Sequence, residues 1–281
     1  MKVLERLKSR KACESHQLFE KEKTVTQCLC ENIFGGRRSR INYLGGVFIL
    51  ECVVFSEAGS YHRTQEQANE DAIVSMTNDS VAVVVACDGA GSLSAGGIAA
   101  KLASETVAKE LLLTFDELYC SDSASARWNL AKAVTACLSS YGEQHNLATS
   151  DLACTIVAAA MDTEGRCICF HLGDGIIFRR KTDSISWDSV SSPRNGLTKN
   201  TTYLTMNCNL WHYLQYYRWK DPKTESILLL TDGASEHLVR RGRDYEWRLM
   251  RKCQSNTTNI KKFLESIDPH DDYSCGMIIR K

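Results

Sequence analysis

The chain has 281 residues, enough to bury a full core as one large domain, and its 34 basic and 34 acidic side chains cancel. A net charge of zero excludes a global pull toward nucleic acid or an anionic membrane, so any preference for phosphate must come from a local site. The 13 cysteines, an odd number scattered through apolar segments, argue against a disulfide scaffold and for a reducing cytoplasm, while no apolar run approaches the ~20 residues of a membrane-spanning helix.

The start, MKVLERLKSRKACESHQ, is charged and lacks the uninterrupted apolar core of a secretory signal. Residues 1–44 read as a weakly patterned N-terminal extension. Leu4, Leu7 and Leu18 allow a short helix there, and Gly35-Gly36-Arg37-Arg38 reads as a loop. Neither Cys28-x-Cys30 nor Cys167-x-Cys169 has the spacing of a zinc knuckle. A domain over residues 45–281 opens with a strand at 46–55 (GVFILECVVF), followed by a polar segment carrying Gly59, His62 and Arg63. Asn69-Glu70-Asp71 leads into a strand at 72–76, and a turn at Asn78-Asp79 leads into VAVVVACDGAGSLS at 81–94. That run reads as a buried strand delivering Asp88 to the rim of a sheet, where the chain breaks at Gly89-Ala90-Gly91. Antiparallel neighbours joined by a short turn put the start of one beside the end of the next, so Asp71 is expected beside Asp88.

Residues 96–119 show a helical stripe of Ile98, Leu102, Val107 and Leu111, and 127–145 a second with Leu130, Val134, Leu138 and Tyr141. Strands resume at 153–161 and 166–172, the latter ending in Gly173-Asp174-Gly175, and 176–180 reads as the next strand of the same meander. A loop at 191–200, aromatic material at 203–219 that reads as strand with one irregular connection, and a buried strand at 226–231 delivering Asp232-Gly233 follow. Two short helices over 244–267, a turn at 268–273 bearing Asp271-Asp272, and a closing strand at 275–279 complete the order. Because the order does not alternate strand and helix, the expected class is α+β, an antiparallel β-sandwich flanked by helical layers. Acids recurring at strand rims make an oxygen-only site suited to Mg²⁺ or Mn²⁺.

Asn69-Glu70-Asp71-Ala72, Asp88-Gly89-Ala90-Gly91, Ala153-Cys154-Thr155, Gly173-Asp174-Gly175, Leu230-Thr231-Asp232-Gly233 and Asp271-Asp272-Tyr273-Ser274 resemble, in order and spacing, the motifs of the metal-dependent protein phosphatase 2C family. Gly59-Ser60-Tyr61-His62 and Asn200-Thr201-Thr202-Tyr203-Leu204-Thr205 resemble its bacterial subgroup, which implies a bacterial source. The resemblance implies a serine/threonine phosphatase acting on a phosphorylated protein through a water activated by two Mg²⁺ or Mn²⁺ ions, with a cognate kinase in the same pathway. It assigns Asp88 to bridge both ions, the Gly89 carbonyl and Glu70 to one, Asp71, Asp232 and Asp271 to the other, and Asp174 to a weaker third ion. Asp88, Asp71 and Asp232 are the implied catalytic acids.

Two positions depart from the pattern. Glu66 stands where the family carries a phosphate-clamping Arg, which leaves His62 and Arg63 as candidates to meet the substrate phosphate, and Ala90 stands where some members carry a His. No Cys-x5-Arg segment supports a cysteine phosphatase, since Leu93 occupies the Arg position for Cys87. The alternative expectation is a catalytically silent sensor or scaffold of the same fold that binds a phosphorylated partner.

Overall fold

In the computed structural model, which describes residues 31–33, 36–40, 49–194, 202–206, 209–242, 247–250 and 257–281, strands β1 (Glu31–Ile33) and β2 (Gly36–Arg40) form a hairpin, and β2 pairs with β3 (Leu50–Glu57). After the short helix α1 (Ser60–Thr64) come β4 (Asp71–Thr77), β5 (Val81–Asp88), and helices α2 (Gly96–Leu113), α3 (Phe115–Cys120) and α4 (Ser123–His145). Strands β6 (Ile156–Asp162), β7 (Arg166–Leu172), β8 (Ile176–Lys181) and β9 (Trp187–Ser189) follow. The remainder is α5 (Leu210–Tyr213), β10 (Gln215–Lys220), β11 (Thr224–Leu230), α6 (Asp232–Leu238), the hairpin of β12 (Val239–Arg241) and β13 (Trp247–Leu249), α7 (Thr257–Ile267) and β14 (Tyr273–Arg280).

The strands build a seven-stranded sheet, β1-β2-β3-β14-β11-β8-β9, and a five-stranded sheet, β10-β7-β6-β5-β4, with every described pairing between named strands antiparallel. Alternation along β5 decides the layering. Val83, Val85 and Cys87 face the helices, whereas Ala82, Val84 and Ala86 face the second sheet. On the far side of the larger sheet, Phe178, Leu228 and Leu230 are covered by Ala234, Leu238, Ile260 and Leu264 of α6 and α7. The result is the expected sandwich between helical layers.

The α2 stripe differs from expectation. Its buried face is Ala99, Ala100, Ala103, Val107, Ala108 and Leu111, while Ile98 is exposed. Small side chains let the helix axis approach β4 and β5 closely, and this contact outweighs the larger residues' preference for burial. The helical run also breaks at Thr114, and α4 starts earlier than expected because Asp122 caps it, accepting from the Ala124 and Ser125 amides at 2.9 and 3.0 Å.

Other elements depart from expectation. Strand β8 does not continue the meander but joins the other sheet between β11 and β9, so the turn 173–175 carries the chain from one sheet to the other. The irregular connection expected in the aromatic stretch includes the short helix α5, and β10 follows it. In place of the first of two helices over 244–267 stands β13; residues 243–246 and 251–256 lie outside the described residues, as do the N-terminal helix and Cys28-x-Cys30. Gly36, Arg37 and Arg38, read as loop, are strand, and the seven-stranded sheet thus reaches into the stretch read as an extension.

Where the two sheets meet, small residues set the spacing. A Cβ on Gly276 of β14 would lie 2.4 Å from Val84 Cγ1 and 2.9 Å from Ile73 Cδ1. Gly276→Ala is therefore expected to cost about 1–3 kcal/mol through overpacking, with part recovered when Val84→Ala is added. Urea unfolding of the single and double variants checks this; an unchanged midpoint for the single variant means the sheets part without cost.

Candidate metal centre

Antiparallel pairing gathers the acids at one end of the sandwich. The register sets Asp71 directly opposite Asp88, as expected from the short turn between their strands. The β11 strand pairs Leu230 with Cys275 of β14 and with Ile176 of β8. Asp232 after β11, Asp271 and Asp272 before β14, and Asp174 before β8 therefore arrive at the same rim. Carboxylate oxygens of Asp88, Asp174 and Asp232 lie within 4.8 Å of one another. With Glu70, Gly89, Asp271 and Asp272 they line a cleft of about 350 Å³ whose wall also includes Tyr61, His62, Thr155 and Thr202.

Each acid has a distinct setting. Asp88 is held by strand pairing and by Thr155, whose hydroxyl accepts from the Asp88 amide at 3.1 Å. Asp71 is buried, and the Thr231 hydroxyl donates to its Oδ2 at 2.9 Å. Thr202 donates to Asp174 Oδ2 at 2.6 Å. Asp174 Oδ1 and Glu70 Oε2 are buried with no hydrogen-bond donor among the described residues. Such orphaned anionic oxygens are costly unless a cation meets them, and an all-oxygen set of this kind suits a hard divalent ion.

Asp271 and Asp272, indistinguishable in sequence, separate in space. Asp272 is buried and saturated: its Oδ1 accepts from the Gly59 amide at 2.8 Å, and its Oδ2 accepts from the Glu70 amide at 2.6 Å and lies 2.8 Å from His62 Nδ1. Asp271 is exposed at the cleft wall. Gly59 is needed for close approach, since a Cβ there would lie 2.2 Å from the Asp271 backbone carbon. The structural parts played by Asp272, Thr231 and Thr202 were not read from the sequence. No local pattern marks them, since Thr202 lies 28 residues from Asp174 and Thr231 lies 160 residues from Asp71 along the chain.

His62 and Arg63, neighbours in α1, point to different places. His62 is buried, lines the cleft and is the one basic side chain on its wall among the described residues. Arg63 bonds to the Ala58 carbonyl and to Asp268 and does not line the cleft. Glu66 is exposed and left-handed at φ 54°.

Crowding of acids shows in their proton affinities. Burial, then the charges of Asp71, Asp232 and Asp174, pushes Asp88 well above the carboxylate range. Burial, with Asp174 and Asp271, lifts Asp232 to about 8. Burial lifts Asp71 to about 7, although hydrogen bonds from Ser274 and Thr231 pull the other way. Burial raises Glu70 too, against the opposing His62. For His62, burial pulls downward, but the hydrogen bond and charge of Asp272 reverse it and the net shift is upward.

A sandwich of two antiparallel sheets between helices, with an acidic cluster at one end, defines the class. The chain belongs to the protein phosphatase 2C family, whose profile matches residues 58–265. Solved structures with the same fold include a bacterial serine phosphatase (16% identity, TM-score 0.56, covering 81% of this chain and 96% of that one). Stp1, a serine/threonine phosphatase of Staphylococcus aureus, matches at 16% identity and TM-score 0.56 over 86% of this chain and 98% of its own. PppA, a key regulatory component of the T6SS in Pseudomonas aeruginosa, matches at 15% identity and TM-score 0.57 over 86% and 100%. At such identities the likeness is one of fold. A search of curated proteins finds no match to this sequence. Among the described residues no helix is long and apolar enough to cross a membrane.

Because the carboxylates bind protons more tightly folded than unfolded, the metal-free fold holds excess protons from the ordinary carboxylate range up to about pH 8. His62 has the same sign, its contribution being lost as pH rises through its raised pKa. The melting temperature in EDTA should thus fall between about pH 5 and about pH 8, and saturating Mn²⁺ should flatten the fall. A rise over that window in EDTA contradicts the buried, protonated acids. Separately, Asp272→Ala strands buried His62 and two amides, and chemical denaturation should show a loss of about 3 kcal/mol or more; a loss below about 1 kcal/mol shows the network to be dispensable.

Proposed function

We propose that the protein is a Mg²⁺- or Mn²⁺-dependent phosphatase that hydrolyses phosphoserine and phosphothreonine in proteins. The observation that carries this reading is the convergence of Asp88, Asp174 and Asp232 oxygens within 4.8 Å, with buried Asp71 in register beside Asp88. In this reading Asp88, Glu70, the Gly89 carbonyl, Asp71, Asp232 and Asp271 would together hold two such ions, and Asp174 would help hold a weaker third. When bound, such ions supply Lewis-acid activation of a water nucleophile and stabilise charge on the attacking and leaving oxygens.

The chain's own residues do the rest. Asp272 fixes the His62 ring through Nδ1 and favours the imidazolium, which gives the cleft a positive group for a phosphate oxygen. Arg63, engaged with Asp268, leaves that task to His62. The thiols are not nucleophiles in this reading: burial pushes Cys87, beside Asp88, well above the ordinary thiol range, the reverse of what thiolate attack requires. The free, buried cysteines suit a reducing cytoplasm. A cognate serine/threonine kinase would supply the substrate.

One observation favours the second reading, a silent phosphatase-fold sensor: Glu66 occupies the clamp position and no Lys or Arg lines the cleft among the described residues. Turnover of a small aryl phosphate separates the two. The enzyme reading expects hydrolysis with Mn²⁺ that EDTA abolishes, and an Asp88→Asn variant reduced about a thousandfold or more with an unchanged circular dichroism spectrum. No metal-dependent turnover, or an Asp88→Asn variant with near-normal kcat, sinks it.

A further inference from the structure

The molecule's zero net charge hides a local segregation. The metal cleft is lined by six carboxylates, whereas two adjoining hollows beside β10 are lined by arginines and no carboxylate. One hollow contains Arg127 and Arg194, the other Arg179 and Arg218, and both share Tyr216 and Tyr217. Those two tyrosines point to opposite faces of the strand, one packing on the helical core and the other on the inter-sheet core. A pair of hollows touching both therefore lies along the strand's edge. That edge is open among the described residues, because β10 ends its sheet and pairs only with β7.

Charges on an edge strand are an ordinary guard against aggregation, and Arg218 by itself needs no other explanation. Arg127 and Arg194 are different, since they come from α4 and from the loop after β9 and still converge on the same edge. Arg127 stacks over Trp211 with its guanidinium carbon 5.9 Å from the ring centroid, and no ion pair with a described carboxylate holds Arg127 or Arg194. The groove also adjoins the cleft: the Arg194 amide donates to the Gly173 carbonyl at 2.8 Å, one residue from Asp174.

We propose that this arginine-lined edge of β10 docks an acidic, extended segment of the phosphoprotein substrate, flanking the phosphorylated residue held in the cleft. The inference rests on the phosphatase reading above for the identity of the substrate. An open strand edge offers backbone hydrogen bonds to an extended chain. The guanidinium groups of Arg127, whose Nε donates to the Ser123 carbonyl at 3.0 Å, and of Arg194 hold no described carboxylate and select carboxylates or phosphates along it, whereas Arg179 already lies 3.9 Å from Asp188. It also answers a difficulty of the cleft itself, whose carboxylates repel an acidic polypeptide: attraction is supplied next door, where the flanking residues lie.

The test uses the full chain loaded with Mn²⁺ and two fluorescein-labelled, unphosphorylated peptides that differ only in having acidic or neutral flanks. Anisotropy should show tighter binding of the acidic peptide, weakened about tenfold in R127E/R194E and by high salt. With the phosphorylated peptides, kcat/KM on the acidic one should fall by a similar factor in the variant, while hydrolysis of the small aryl phosphate stays unchanged. Equal binding of the two peptides, unchanged binding by R127E/R194E, or stronger competition by a single-stranded oligonucleotide overturns the proposal. If the wild-type chain fails on the aryl phosphate, the phosphatase reading falls, and the anisotropy result still decides the groove by itself.

Discussion

Repulsion among carboxylates confined in one desolvated cleft is the constraint on which the rest of this structure depends. Antiparallel strands bring Asp71, Asp88, Asp174, Asp232, Asp271 and Asp272 to one rim, and burial there lifts the proton affinity of Asp71, Asp88 and Asp232. Isolated charges in such a place are unfavourable, so the site is stable only when protons or cations share it. The fold supplies the force that holds the acids together: two sheets closed over small side chains such as Ala82, Ala86 and Gly276, with alanine-faced α2 laid against them. Rigid strands give the acids little room to move apart.

Within that frame, the surrounding hydrogen bonds divide the acids by task. Asp272 is consumed by two amides and His62, and so ties the segment 59–62 to the start of β4 and to the chain before β14. Asp71 is partly satisfied by Thr231. Asp174 and Glu70 each keep a buried oxygen with no donor among the described residues. The gradient from saturated to orphaned oxygen separates carboxylates that organise the rim from those left to meet a cation. It rests on backbone geometry and small hydroxyl side chains more than on the acids themselves.

Charge is then distributed so that opposite needs are met in separate places. The cleft concentrates anionic groups around one imidazole, and the edge of β10 concentrates guanidinium groups around aromatic rings. Both can coexist in a chain of zero net charge because a Debye length of about 10 Å at ordinary salt keeps surface fields local.

The sequence by itself determined the local grammar. Alternating valines and alanines make β5 a strand buried on both faces, and the short turn at Asn78-Asp79 sets its register with β4, so the Asp71–Asp88 pair is legible in the sequence. The motif order, through its resemblance, carried the family and the sandwich. Only the tertiary structure decided which of Asp271 and Asp272 faces the cleft, because their difference lies in contacts with Gly59, His62 and Glu70, some two hundred residues away. It alone moved β8 into the second sheet, turned Arg63 toward Asp268, and made the buried face of α2 one of alanines. Periodicity reports which side of an element is apolar, but the partner that side meets is fixed by contacts between segments distant in the chain, and these no local pattern encodes.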